Sequence, residues 1–134
     1  MGNTMGDISE NAKKAILVVD DSSTMRRIMK LSLTRLGYSN IEEAQNGVEG
    51  FSKAQAKQYD CIITDWNMPE MDGLEMAKKL RATPNYQKTP IMMVTTEGGK
   101  QEVIEALMQG INSYIVKPFN EETLAGKMQS LFGN

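Results

Sequence analysis

The 134-residue sequence contains no histidine, one cysteine and one tryptophan. Without histidine there is no imidazole for acid–base catalysis, for metal binding or for carrying a phosphoryl group. The single cysteine, Cys61, has no second thiol with which to form an internal disulfide. Its place in an apolar run predicts a small buried side chain, which suits a reducing, cytoplasmic location.

Long apolar runs and a strong charge of either sign are also missing. No stretch approaches the roughly 20 apolar residues of a membrane-spanning helix, and the N-terminus lacks the basic-then-apolar order of a signal peptide. A net charge of -2 gives no general attraction to nucleic acid or to anionic lipid. We therefore expect no membrane insertion, no nucleic-acid binding and a monomer.

The pattern of apolar residues predicts one α/β domain over residues 15–134. Residues 1–14 are polar and without periodicity, which is typical of a flexible N-terminal leader. Short apolar runs then alternate with segments of helical periodicity, and this alternation predicts a parallel sheet with helices on both faces. The five predicted strands, each followed by a helix, are residues 15–19, 41–44, 61–64, 91–95 and 111–116.

Residues at helical spacing predict which faces of the helices contact the sheet. In the first helix, a charged face is predicted to be solvated, and it consists of Arg26, Arg27 and Lys30. On the apolar side of that helix, Ile28 is predicted to point inward. In the fourth helix an apolar face is predicted to be buried, and it consists of Val103, Ile104, Leu107 and Met108.

Four of the predicted strands end in residues with charged or hydroxyl side chains. These residues are Asp20 and Asp21 after the first strand, Asp65 after the third, Thr95 at the end of the fourth and Lys117 after the fifth. Parallel strands have their carboxyl ends along one rim, where open α/β sheets bind ligands. Three carboxylates and one ammonium there carry a charge of about -2, which one divalent cation neutralises. Because the donors are oxygens, the pattern favours Mg²⁺.

Such a group of side chains suits phosphoryl transfer, which depends on positioning and charge neutralisation. Asp65 would attack phosphorus to give an aspartyl phosphate, while Lys117 and the Thr95 hydroxyl would bind phosphoryl oxygens. The modification adds a charge of about -1.5 to -2, enough to rearrange a nearby loop. The structural alternatives are a strand end and helix cap at Asp20–Asp21, an ordinary strand residue at Thr95 and a surface lysine at Lys117.

A second class of function is a Mg²⁺-dependent phosphotransferase or phosphatase that turns over external substrates through a nucleophilic aspartate. Such enzymes commonly carry an Asp-x-Asp pair, and Asp65-Trp66-Asn67 lacks the second acid. The nearby Asp72-Gly73 pair is typical of a turn and a helix start. The sequence therefore favours a phosphoacceptor that catalyses only its own phosphorylation and dephosphorylation over an enzyme.

Four segments resemble the receiver domains of two-component response regulators, and among them the single-domain chemotaxis regulators. They are residues 18–27, 64–74, 94–97 and 114–119, and the likeness extends from about residue 15 to residue 132. The resemblance implies a flavodoxin-like, doubly wound sheet of five parallel strands in the order 2-1-3-4-5, with five helices. It also implies that a chemotaxis histidine kinase donates the phosphoryl group to Asp65.

The resemblance further implies a role for each residue of the site. Mg²⁺ is held by the carboxylates of Asp21 and Asp65 and by the backbone carbonyl of Asn67, and Asp20 supports the ion. The side chains of Asn67 and Glu97 tune the lifetime of the phosphoryl group. The peptide bond between Lys117 and Pro118 is cis.

In the family, two side chains change position when the aspartate is phosphorylated, and they correspond here to Thr95 and Tyr114. Phosphorylation draws the threonine hydroxyl inward and biases the tyrosine ring toward a buried rotamer. The surface that changes docks the flagellar motor switch protein, and its matching residues are Lys100, Val103, Tyr114 and Lys127. A dedicated phosphatase is a candidate further partner. The alternative output is a phosphate sink or a shuttle in a longer relay.

One departure from the chemotaxis relatives lies in the loop before the fourth helix. The sequence Thr96-Glu97-Gly98-Gly99 stands where those relatives often carry alanine and lysines. Two glycines are expected to loosen this loop, because glycine loses more backbone entropy on ordering than other residues do. The departure concerns the switch loop and leaves the phosphoacceptor residues unchanged.

Overall fold

The computed structural model describes residues 10–132, and within them five strands alternate with five α-helices. The strands are β1 (Ala15–Val19), β2 (Asn40–Ala44), β3 (Cys61–Thr64), β4 (Ile91–Thr95) and β5 (Ser113–Val116). The helices are α1 (Ser23–Arg35), α2 (Gly47–Ala56), α3 (Gly73–Arg81), α4 (Lys100–Met108) and α5 (Glu121–Leu131). Of the predicted leader, residues 1–9 lie outside the described residues, whereas residues 10–12 are helical and bring the number of helices to six, one more than predicted. Pro84–Tyr86 adds a 3₁₀ turn.

All four strand pairs are parallel, and the strand order is β2-β1-β3-β4-β5. The predicted flavodoxin-like sheet is therefore confirmed. Every residue of β1, β3 and β4 is buried, because helices cover both faces of the sheet, and this explains why these strands are continuously apolar. The more polar β2 lies at one edge.

Two hydrophobic clusters, one on each face of the sheet, hold the helices in place. Because successive side chains of a strand point to opposite faces, Leu17 belongs to one cluster, and its neighbours Ile16 and Val18 belong to the other. The first cluster takes in Leu80 of α3, and the second takes in Leu33 of α1. The sheet therefore acts as a rigid support for the loops at its carboxyl ends.

At the start of four helices, the side chain of the N-cap residue accepts a hydrogen bond from the backbone N–H of the residue three positions later. These N-cap residues are Ser22, Asn46, Asp72 and Asn120. Such caps satisfy amides that a helix cannot pair internally. Ser22 follows Asp20–Asp21 directly, and Asp72 ends the loop that begins at Asp65, so both caps fix loops at the rim of the sheet.

The predicted burial of the apolar face of α4 is wrong for three of its residues. The side chains of Ile104, Leu107 and Met108 are 41%, 50% and 78% exposed, and only Ala106 is fully buried. In α1, Ile28 is exposed and Leu33 is buried instead.

Within residues 10–132, no helix is both long enough and apolar enough to cross a membrane.

The fifth strand begins at Ser113, two residues later than predicted. The reason lies in Asn112, whose side-chain oxygen accepts a hydrogen bond from the backbone N–H of Ile91 at 2.8 Å. A side chain thus takes the bond that a backbone carbonyl of a longer strand would accept. The same oxygen also accepts a bond from Arg81 at 2.8 Å.

Two glycine-to-alanine substitutions test how closely the Asp65 loop approaches α3. A Cβ atom at Gly73 would lie 2.0 Å from the carbonyl oxygen of Asp65, so Gly73→Ala should lower the free energy of unfolding by more than about 2 kcal/mol. At the exposed Gly126 of α5, a Cβ would meet nothing within 4 Å, so Gly126→Ala should raise it by about 0.5–1 kcal/mol. Urea unfolding measures both changes, and a stabilising effect at Gly73 would contradict the close approach.

Candidate functional site

Three aspartates converge at the carboxyl rim of the sheet. Asp20 follows β1 and is 6% exposed, Asp21 is exposed, and Asp65 follows β3 and is half-buried. One carboxylate oxygen from each of the three lies within 4.8 Å of the other two. The structure therefore brings together the acids that the sequence predicted at this rim.

The side chain of Lys117 joins two of these acids. Its Nζ donates to Oδ2 of Asp20 at 2.9 Å and to Oδ2 of Asp65 at 3.1 Å, and the side chain is 11% exposed. Burial alone would lower the pKa of Lys117, but the hydrogen bonds to these carboxylates and their charges outweigh it and raise the pKa. The amine is therefore an ammonium ion at neutral pH.

Hydrogen bonds between backbone groups fix the direction of Asp65 and Lys117. The N–H of Asp65 donates to the carbonyl of Val19 at 3.0 Å, and the N–H of Lys117 donates to the carbonyl of Thr95 at 2.8 Å. The second carboxylate oxygen of Asp65, Oδ1, accepts the N–H of Trp66 at 2.6 Å. The bond between Lys117 and Pro118 is cis, as the resemblance implied.

The sequence did not indicate the contact that Arg26 makes with the acidic turn. Instead of lying on a solvated face, Arg26 donates to the backbone carbonyl of Asp20 at 2.6 Å and to Glu43 of β2 at 2.9 Å. One signal was present, because Arg26 lies in the first turn of a helix, where the helix dipole disfavours a positive charge. A basic residue there indicates that some neighbouring group accepts its hydrogen bonds.

A second group of contacts leads from the rim toward β5 and is centred on Glu97. The backbone N–H of Glu97 donates to the buried hydroxyl of Thr95 at 3.4 Å, and its carboxylate accepts the side-chain amide of Asn67 at 3.0 Å. Its carbonyl oxygen accepts the phenol of Tyr114 at 2.5 Å. Burial, followed by the charges of Glu97, Glu102 and Asp65, raises the pKa of Tyr114 to about 12, so the phenol stays a donor.

The predicted partner-binding residues lie on α4, β5 and α5. Lys100 begins α4 and Lys127 lies in α5, and both are exposed, whereas Val103 of α4 is half-buried. Gly98 and Gly99 lie between β4 and α4, with Gly99 at the N-cap position. The two glycines therefore stand in the loop and leave the interior of α4 intact.

The donors at the rim fit a hard divalent cation such as Mg²⁺. All three candidate ligands are carboxylates, and Cys61, the only cysteine, is fully buried in the core. Oxygen-only sites favour Mg²⁺ over the transition metals that prefer nitrogen or sulfur. With Lys117 included, the four side chains carry about -2, a charge that one divalent ion balances.

Comparisons with known proteins agree with this fold and show the family of the chain. The sequence matches the response regulator receiver domain family over residues 16–129. Chemotaxis protein CheY1 of Helicobacter pylori is 55% identical over 119 residues, which cover 88% of this chain and 96% of the relative. A solved structure of Vibrio cholerae chemotaxis protein CheY4 matches with a TM-score of 0.82 at 40% identity, over 88% of this chain and 98% of that chain.

A third match is to a chain in the CheX–CheY–BeF3–Mg complex of Borrelia burgdorferi. It has a TM-score of 0.85 at 25% identity and covers 90% of each chain. The family match spans nearly all of the described sheet and helices. The matches to CheY1 and CheY4 cover nearly the whole length of those relatives. This chain therefore belongs to the response regulator receiver domain family, and within that family it is similar to chemotaxis proteins of the CheY type.

Proposed function

We propose that Asp65 accepts a phosphoryl group from a chemotaxis histidine kinase in a Mg²⁺-dependent reaction, and that the phosphorylated protein binds the flagellar motor switch. The observation that carries this proposal is the environment of Asp65. Its carboxylate has an ammonium at 3.1 Å and two further carboxylates within 4.8 Å. This combination suits a nucleophile that must receive a phosphoryl group and hold its charge.

In the proposed reaction, an oxygen of Asp65 attacks phosphorus while the bond from phosphorus to the donor histidine nitrogen breaks. The bonding electrons leave with that nitrogen, and the product is an aspartyl phosphate. Bound Mg²⁺ would neutralise charge on the phosphoryl oxygens. Lys117 lies beside Oδ2 of Asp65, so its ammonium is close enough to bind an oxygen of a phosphoryl group attached there.

The contacts around Glu97 support the proposed switch role of Thr95 and Tyr114. Among residues 10–132, the hydroxyl of Thr95 accepts one hydrogen bond, a long one of 3.4 Å from the N–H of Glu97, so it can turn toward a phosphoryl group at little cost. A movement of Glu97 would reach Tyr114 directly, because the phenol donates to the carbonyl of Glu97. The pair would thus convert a change of charge at Asp65 into a change of surface at β5.

The exposed apolar residues of α4 support a docking surface beside β5. Ile104, Leu107 and Met108 are exposed on the helix that also carries Lys100 and Val103. Exposed apolar groups near cations and a tyrosine are typical of protein-binding sites. We propose that this surface, with Tyr114 and Lys127, contacts the motor switch protein.

We further propose that the protein is a timed switch with no external substrate. A hydrogen bond joins the side chains of Asn67 and Glu97, and we propose that these two side chains tune the lifetime of the phosphoryl group by controlling the access of water to it. The backbone carbonyl of Asn67, which we propose as a ligand of Mg²⁺, lies in the loop between β3 and α3. A phosphatase remains a proposed partner.

The proposed location is the cytoplasm, where glutathione keeps thiols such as the free Cys61 reduced.

Fluorescence of Trp66, next to Asp65, should report both proposed binding steps. We expect one change in emission when Mg²⁺ is added and a second when a small acyl phosphate follows, because both alter the charge around the indole. Asp65→Asn should abolish the second change, since an amide cannot accept the phosphoryl group. Asp72→Asn provides the matched control, because asparagine caps a helix as well as aspartate does, and it should keep both changes.

If the response to acyl phosphate persisted in Asp65→Asn, the assignment of the phosphoacceptor would be wrong. If it disappeared in Asp72→Asn as well, the loss would reflect damage to the loop between Asp65 and α3. Sustained release of phosphate from an added phosphomonoester would instead favour a turnover enzyme.

A pull-down with phosphorylated and resting protein should separate motor output from the alternative role of sink or relay shuttle. We expect the phosphorylated form to bind motor switch protein at least about tenfold more tightly, a coupling free energy of about 1.4 kcal/mol. Lys127→Glu should weaken this binding, because it reverses a charge on the proposed surface. Lys88→Glu, which changes an exposed lysine before β4, serves as the control. Preferential binding to histidine-containing transfer domains would contradict motor output.

A further inference from the structure

The side chain of Arg26 connects the edge strand β2 to the turn that carries two of the rim acids. The side chain is 13% exposed. Its Nε lies 2.9 Å from Oε1 of Glu43, and its Nη1 donates to the backbone carbonyl of Asp20 at 2.6 Å. One guanidinium thus bonds to a carboxylate on β2 and to the backbone at Asp20, and its planar fork suits two such bonds.

The helix dipole cannot explain this position, because a positive charge in the first turn of α1 is unfavourable. The favourable interactions come from Glu43 and from the carbonyl of Asp20. The hydrogen bond from Arg26 lowers the pKa of Glu43, although burial acts in the opposite direction. Glu43 is therefore a carboxylate at neutral pH and holds the guanidinium in place.

The Asp20–Asp21 turn depends on contacts to its backbone. The N–H of Asp20 donates to the carbonyl of Ala44 at 3.1 Å, and Oδ1 of Asp20 accepts the N–H of Ser22 at 2.9 Å. The exposed side chain of Asp21, in contrast, makes no hydrogen bond or ion pair with another of the residues 10–132. The backbone of the turn therefore sets the point from which the Asp21 side chain extends, and Arg26 contacts that backbone at the carbonyl directly before Asp21.

We propose that Arg26, held by Glu43, is a positioning residue that fixes the Asp20–Asp21 turn so that the carboxylate of Asp21 stays close to that of Asp65 for a divalent cation. The inference rests on the proposed function, which requires that cation. Partners beyond the direct ligands of a metal commonly set its affinity by orienting those ligands. Arg26 would act in this way through the backbone.

Charge and position make opposite predictions for this residue. If Arg26 acted only through its charge, its removal would relieve repulsion of a cation and tighten Mg²⁺ binding. If it acts by holding the turn, its removal weakens Mg²⁺ binding in spite of the relieved repulsion. The sign of the change in affinity therefore decides between the two.

The test is a titration of Arg26→Gln with magnesium chloride, followed by the emission of Trp66 at a temperature well below unfolding. We expect a dissociation constant about tenfold higher than in the unaltered protein. Arg27→Gln is the matched control, because it removes the same charge from the exposed neighbouring residue, which makes no ion pair in the described part of the chain. The affinity of Arg27→Gln for Mg²⁺ should equal that of the unaltered protein or be slightly higher.

A second readout needs no cation. In Arg26→Gln the backbone amides of Asp21 and Ser22 should exchange with solvent faster than in the unaltered protein, whereas those of β3 should not. If Arg26→Gln does not fold, Arg26→Lys replaces it in both measurements. Lysine keeps the charge but lacks the fork, so we expect a dissociation constant at least about threefold higher.

An unchanged or tighter affinity in the folded Arg26 variant would overturn the inference. An equal loss of affinity for Mg²⁺ in Arg26→Gln and Arg27→Gln would also overturn the inference. Failure of the proposed function is distinguishable, because in that case the unaltered protein itself would show no response to magnesium chloride.

Discussion

The ammonium of Lys117 is shared between the carboxylates of Asp20 and Asp65, and this interaction ties together the ends of β1, β3 and β5. Each of the three groups is nearly removed from water, and an unpaired charge there would cost several kcal/mol of stability. The pairing is incomplete, because Asp21 adds a third carboxylate within 4.8 Å. The excess negative charge is a local cost to stability that makes the rim receptive to a divalent cation.

Lys117 also belongs to a set of hydrogen bonds that extends from the rim to Tyr114 of β5. Lys117 is bonded through its backbone N–H to Thr95, and Thr95 contacts Glu97, which in turn holds Asn67 and Tyr114. A phosphoryl group that drew Lys117 or the hydroxyl of Thr95 toward itself would disturb this whole set of bonds. Since the central strands β1, β3 and β4 are fully buried and packed on both faces, the loop that carries Glu97 is the part that can yield.

The sequence allowed the sheet and the acidic rim to be predicted because both follow from local rules. Continuous apolar runs indicate strands buried on both faces, and the residue that ends each parallel strand must lie at one rim. The apolar face of α4 was mispredicted, because helical spacing indicates amphipathicity but does not say whether the apolar side meets the core or a partner. The contact of Arg26 with Asp20 could not be predicted either, since it depends on Glu43 from a strand brought alongside only in the folded chain. Asn112 shortened β5 in the same way, through a side-chain bond that no strand propensity describes.

The central claim is that one carboxylate, at Asp65, receives a phosphoryl group when a divalent cation balances the charge of the rim. The most direct measurement is the intact mass of the protein after incubation with a small acyl phosphate, with the modified residue then identified by reduction of the acyl phosphate and peptide sequencing. We expect the addition of one phosphoryl group, located at Asp65, in the presence of Mg²⁺ and none when the cation is chelated. Modification of another residue, or equal modification without a divalent cation, would contradict it.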